Sequence, residues 1–229
     1  MENKKVSKIN KLFLHAKVNI DLLSAVKEAF LKSELLNNIS GKIGVYTTIQ
    51  YLHNLQPVIE FLKEKNKDIK AQGQILGCAV PKEKLDTIIY IGQGKFHPIA
   101  VLLKHDTKIF RIDPHTSKIT ILTREDVDKI LKKQKGALLK FHVSEKIGVL
   151  VTTKYGQEHY KEAKLLEIKY PDKKFYYFAM NTLDFNEIEN FPFIECYVNT
   201  MCPRIGYDDT IRLNKSIINI EQLLNPVDE

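Results

Sequence analysis

Two cysteines stand at the open ends of strand-like runs, each inside a short loop. Cys78 lies in AQGQILGCAVP (71–81), where Gly73, Gly77 and Pro81 mark the loop. Cys202 lies in VNTMCPRIGYDD (198–209), just after the apolar run FIECYV (193–198), with Pro203 and Gly206 turning the chain around it. Ligands of open α/β sheets gather at the carboxyl ends of strands, so both thiols are expected on a functional rim. If the fold brings them together they suit a shared metal site; otherwise they are two unrelated loop thiols. No CxxC pair exists to preform a zinc ribbon, and two thiolates are too few for an ordinary iron–sulfur site. The third cysteine, Cys196, shares the strand phase of Ile194 and Val198, opposite Glu195 and Tyr197, and reads as a small core hydrophobe. An odd number of cysteines does not make a disulfide framework.

Other chemistry-bearing residues fall on the same expected rim. TTKYGQ (152–157) places Lys154 and Gln157 at the end of a strand. Arg204 offers a planar fork suited to a carboxylate. Asp208 and Asp209 can receive an ammonium group or cap a following helix. GQGKFHP (92–98) contains a GxG, but Pro98 is expected to block the helix that a dinucleotide fingerprint requires, leaving a turn that displays His97. His97 and His115 are candidates for polar contacts. GxSxG, HExxH and P-loop patterns are all missing from the sequence, so standard hydrolase machinery has no support.

The elements that must position these loops repeat. KIGVYTTIQYLHNLQPVIEFLKEK (42–65) and KIGVLVTTKYGQEHYKEAKLLEIK (146–169) align without gaps, each reading as a buried strand, a turn and an amphipathic helix. Val58, Ile59 and Leu62 carry the apolar helix face in the first copy; Ala163, Leu165 and Leu166 carry it in the second. Further strands are expected at DIKA (68–71), TIIYIG (87–92), KFYYFAM (174–180) and FIECYV (193–198). This alternation implies parallel strands with right-handed crossovers. The fold class is therefore α/β, two similar units in tandem, each a small mainly parallel sheet flanked by helices. KIFRID and KITILT (108–113, 118–123), split by Asp113-Pro114-His115, extend the first sheet as a hairpin. A helix over 123–139 opens on a Thr123/Asp126 cap. The expected domains are 41–140 and 141–229. They follow an edge over 1–40 that holds a strand, KLFLH (11–15), and a helix within 19–36 capped near Asn19 or Asp21.

The 229 residues are 44% hydrophobic and 28% charged, the balance of a soluble globular protein rather than a disordered one. No apolar run reaches the roughly 20 residues that span a bilayer, and MENKKVSKIN is not followed by the apolar core of a secretory signal. A cytoplasmic protein without membrane contact is expected. The net charge of +7 suits an acidic partner. The KEK, DKK and KKQK stretches read as solvated helix faces, and no RNA-binding motif accompanies them, so direct nucleic-acid binding is not expected.

GQILGC, YIGQGKFHP, the Asp-Pro at 113–114, LVTTKYGQ and VNTMCPRIGYDD occur here in the order seen in diphthamide synthase, the 2-(3-amino-3-carboxypropyl)histidine synthase of archaea, whose eukaryotic counterpart has two related subunits. The resemblance runs from about residue 11 to about 225. It implies a [4Fe–4S] cluster held by one cysteine from each of three similar α/β domains, with a fourth iron open to S-adenosylmethionine. In that family the reduced cluster cleaves the bond from sulfur to the γ-carbon. The 3-amino-3-carboxypropyl radical then modifies a histidine of translation elongation factor 2, the first step of diphthamide biosynthesis.

Carried over by position, the resemblance makes Cys78 and Cys202 the cluster ligands and gives Cys196 no such role. Lys154, Gln157, Arg204 and Asp208 then line the cofactor cavity, and no catalytic side chain is implied beyond the cluster. The chain resembles only the second and third domains. A separate chain carrying the first domain and its cysteine is the expected partner, with elongation factor 2 as substrate and a dimer as the assembled enzyme. Three other readings are open: a degenerate copy with no cluster, a non-catalytic cluster-binding or scaffold subunit of the same complex, and a small nucleotide-binding protein sharing only the fold.

Overall fold

The computed structural model describes residues 16–34, 39–65, 67–154, 157, 159–208 and 214–224. The strand expected at 11–15 and Asp209 lie outside them. By its contacts the chain separates into two compact units, and the short segments Gly77–Val80 and Ile99–Asp106 group with the second.

As far as Leu122 the order is α1 (Leu22–Lys32), β1 (Ile43–Thr47), α2 (Leu55–Glu64), β2 (Ile69–Gln74), β3 (Thr87–Ile91), then α3 (Phe96–Lys104), most of which groups with the second unit, β4 (Lys108–Ile112) and β5 (Ile119–Leu122). The strands form one sheet in the order β2-β1-β3-β4-β5. All neighbours are parallel except β4 and β5, which form the expected hairpin. The central strands β1 and β3 are buried at every residue, while the edge strand β2 alternates half-buried and exposed. That is the signature of a parallel sheet covered on both faces with a free edge. Val58, Ile59 and Leu62 of α2 are buried, as their spacing predicts. Asp21 caps α1 by accepting from the Ser24 N–H, and Phe30 of α1 meets Phe61 of α2 edge to face at 5.5 Å.

The second unit repeats the plan with α4 (Asp128–Val143), β6 (Lys146–Val151), α5 (Tyr160–Lys169), β7 (Lys174–Ala179), α6 (Phe185–Glu189), β8 (Cys196–Asn199), α7 (Ile205–Asp208), β9 (Ser216–Asn219) and α8 (Ile220–Leu224). Its sheet order, β7-β6-β8-β9, is parallel throughout and matches β2-β1-β3-β4 strand for strand. The Thr123/Asp126 capping box forms as expected and opens a short 3-10 turn that runs into α4. The repeated glycine of KIGV has a packing reason. A Cβ at Gly148 would stand 2.5 Å from the Tyr197 ring, and one at Gly44 would stand 2.5 Å from the Tyr46 ring.

Three local expectations fail for identifiable reasons. Leu165 is 49% exposed, so the buried stripe of α5 is carried by Ala163 and Leu166 alone. Pro98 does not block a helix, because it sits in the first turn of α3, where its missing N–H has no intrahelical partner to lose. Cys196 and Tyr197 are both fully buried. β8 begins only at Cys196 and, as an inner parallel strand, has core on either side: Cys196 and Val198 pack in one cluster, Ile194 and Tyr197 in the other.

Candidate functional site

In the second sheet the chain runs from β6 outward to β7 and then returns to place β8 on the other side of β6, so the strand order reverses between β6 and β8. The crevice at the carboxyl ends of such a pair is where open α/β sheets take ligands. Two loops lead away from there: one after β6, described at 152–154, 157 and 159, and 200–204 after β8. Lys154 and Gln157 lie on the first, with Lys154 exposed and Gln157 half-buried. The Gln157 N–H donates to the Lys154 carbonyl (3.0 Å), and the Lys154 N–H donates to the Thr152 hydroxyl (3.2 Å).

The second loop carries Cys202, half-buried, and it is tied down from several sides. Thr200 donates both its N–H (3.1 Å) and its hydroxyl (2.7 Å) to the Leu150 carbonyl, fastening the top of β8 to β6. The side-chain oxygen of Asn199 accepts the Met201 N–H (3.0 Å), and its amide nitrogen donates to the Cys202 carbonyl (2.9 Å). The same nitrogen donates to the Asn219 side-chain oxygen (2.7 Å), and Asn219 donates to the Pro203 carbonyl (2.8 Å). Asn199 and Asn219 are 1% and 2% exposed. The short helix α7 follows at once, because the carbonyls of Cys202 and Pro203 also accept from Ile205 and Gly206 (3.0 and 3.2 Å).

Arg204 and Asp208 are brought together by this turn of helix. The guanidinium donates to both carboxylate oxygens, Nε to Oδ2 at 2.7 Å and Nη2 to Oδ1 at 2.8 Å. Arg204 is buried and Asp208 exposed. The fork expected to hold a cofactor carboxylate is thus engaged by the acid expected to receive an ammonium group, and Asp208 ends α7 instead of capping the next helix.

Cys78 is exposed and lies in Gly77–Val80, which groups with the second unit; both accessible thiols therefore fall within one compact unit. Cys196 is excluded from the rim. Burial pushes its thiol up to about 12, and its Sγ approaches the Ser216 carbonyl at 3.5 Å inside the core. Among the described residues no group of three or more metal-ligating side chains exists. Cysteine thiols are the right donors for an iron–sulfur cluster, and Cys78 and Cys202 are the two that are accessible.

Sequence reasoning missed Asn199 and Asn219. An asparagine at a strand end reads as a turn residue, and only the β8–β9 register, which sets Asn199 directly opposite Asn219, reveals the pair.

The sequence matches, over residues 1–224, the protein family described as "Putative diphthamide synthesis protein". The 2-(3-amino-3-carboxypropyl)histidine synthase of Pyrococcus horikoshii is 28% identical over 225 residues, covering 93% of this chain and 64% of that protein. Subunit 1 of the same synthase from Caenorhabditis elegans is 26% identical over 86% of this chain and 52% of its own length. The crystal structure of Dph2 from Pyrococcus horikoshii with a 4Fe-4S cluster superposes with a TM-score of 0.76 at 27% identity, covering 90% of this chain and 62% of that one. This chain thus spans less than two thirds of the length of these relatives.

Proposed function

The chain belongs to the diphthamide synthesis protein family, and we propose on that premise that it is part of an S-adenosylmethionine-dependent 3-amino-3-carboxypropyl transferase acting on a histidine of translation elongation factor 2. The observation that carries this reading is the sorting of the three thiols: Cys78 and Cys202 accessible in one compact unit, Cys196 sealed in the core. Cys78 and Cys202 would ligate a [4Fe–4S] cluster, which supplies the electron that cleaves the cosubstrate. Lys154 and Gln157, on the loop across the crevice from Cys202, would meet the amino-acid end of S-adenosylmethionine. Arg204 would have to leave Asp208 to take its carboxylate; otherwise the pair serves to hold α7.

Two thiolates leave a cluster short of a ligand, so a separate chain would complete the site with its own domain and cysteine, and the assembled enzyme would work as a dimer in the cytoplasm. Along the described residues no helix is long and apolar enough to cross a membrane.

The test is iron and sulfide analysis of the anaerobically reconstituted complex, with S-adenosylmethionine cleavage and elongation factor labelling as activity readouts. Cys202→Ala and Cys78→Ala should each abolish the brown iron–sulfur absorbance, and Cys196→Ala should leave it intact. A full [4Fe–4S] spectrum in either of the first two variants removes that residue from the ligand set. A cluster that forms while S-adenosylmethionine stays intact would favour a cluster-binding scaffold subunit.

A further inference from the structure

Buried amides are costly unless every polar atom finds a partner. Those of Asn199 and Asn219 find theirs on three consecutive backbone positions, the Met201 N–H and the carbonyls of Cys202 and Pro203, and on each other. The fold itself does not require asparagine here. Aligning the KIGV strands makes β3 the counterpart of β8 and β4 that of β9. The residues facing each other at the matching register position of the first sheet are then Tyr90 and Arg111. There the Tyr90 hydroxyl reaches the His97 ring nitrogen at 3.4 Å, and Arg111 donates to Thr120 at 2.9 Å. One scaffold thus accepts two different pairs, and the amide pair occurs where the following loop carries a cysteine.

The local packing is also cut to fit the pair. A Cβ at Gly206 would stand 2.4 Å from the Asn219 side-chain oxygen, so only glycine lets the first turn of α7 settle on that amide. We propose that Asn199 and Asn219 are positioning residues that fix the Cys202 loop in the metal-free chain, with Gly206 as the gap that admits them. Cys202 is then presented as a preformed ligand before any cluster or partner arrives. Its role as a ligand rests on the function proposed above; the brace itself does not.

The experiment uses the metal-free chain and reads alkylation of each cysteine by iodoacetamide, resolved by mass spectrometry. Cys78 serves as the internal reference for reagent, and Cys196, fully buried, reports an intact fold. Asn219→Ala removes the link to Pro203. Gly206→Ala displaces the same amide without altering either asparagine. Both should raise the Cys202 rate relative to Cys78 by about tenfold, the scale of a released loop that was held by several hydrogen bonds, while Cys196 stays protected.

A Cys202 rate within about twofold of the parent chain in both variants overturns the brace. So does loss of Cys196 protection in both, which would make the asparagines supports of the core. In the reconstituted complex the same variants should shift the electron paramagnetic resonance signature of the reduced cluster. A complex that binds no iron defeats the functional reading, while faster Cys202 alkylation in the metal-free chain would still establish the brace.

Discussion

At the amino ends of the strands the two sheets are built alike. In the first, the Asp86 carboxylate accepts the Lys42 N–H at 2.7 Å, one residue ahead of β3. In the second, Glu195, one residue ahead of β8, accepts the N–H groups of Glu145 and Lys146 at 2.7 and 3.2 Å. Gly44 and Gly148 each clear room for a tyrosine ring. At the carboxyl ends the likeness stops. Tyr90 and Arg111 stand where the second sheet has Asn199 and Asn219, and the loop after β3 has no cysteine while the loop after β8 carries Cys202. The amino ends answer to packing, which a repeat preserves. The carboxyl ends, where open α/β sheets take their ligands, are not preserved by it.

The largest effect is expected where the sheets agree. Gly148→Ala pushes a methyl into the fully buried Tyr197, and Gly44→Ala into Tyr46 and Leu85. Each should lower unfolding stability by about 3 kcal/mol, the upper end for overpacking a core, as read by urea denaturation. If one substitution is tolerated and the other is not, the two amino ends are not equivalent.

Next come the thiols. Cys196→Ser places a hydroxyl in the apolar cluster shared with Val198 and Ile218; it should cost about 1–2 kcal/mol. Cys202→Ser, on a half-buried loop, should stay within about 0.5 kcal/mol. Equal losses would mean that Cys202 is as structural as Cys196.

The repeat, the hairpin and every strand but β9 were legible because short β-branched runs bounded by turn residues have few alternative readings; β9, only four residues long, was not expected. The accessible thiols were legible for a related reason: each follows such a run within a Gly- and Pro-marked loop. What escaped depends on partners distant in sequence. The Asn199–Asn219 contact is made by strand register. The Arg204–Asp208 pair has helical spacing, but Pro203 and Gly206 advertised a turn where the chain makes one turn of helix. Leu165 fits the α5 stripe as well as Leu166 does, and only the sheet beneath decides between them.

A smaller and pH-limited effect belongs to Glu195. Hydrogen bonds from the Glu145 and then the Lys146 N–H hold its carboxyl below the ordinary glutamate range. A depressed folded-state value stabilises above the ordinary range and loses that contribution as pH falls through the depressed value. Glu195→Gln should therefore lower stability near neutrality, change little at strongly acid pH, and so flatten the acid side of the profile. An unchanged acid limb would show that the amino end of β8 is held by packing alone.

The last effect is a gain. A Cβ at Gly136, inside α4, would meet nothing within 4 Å, so Gly136→Ala should stabilise by about 0.8 kcal/mol through helix propensity. The substitution touches neither end of the sheet, and this makes it informative about the Cys202 loop. If that loop opens only when the whole unit unfolds, Cys202 alkylation should slow about fourfold in step with the added stability. A loop held by its own amides opens locally, and its rate stays where it was. An unchanged Cys202 rate in a measurably more stable protein would thus locate the restraint in Asn199 and Asn219, at the carboxyl ends where the two sheets part.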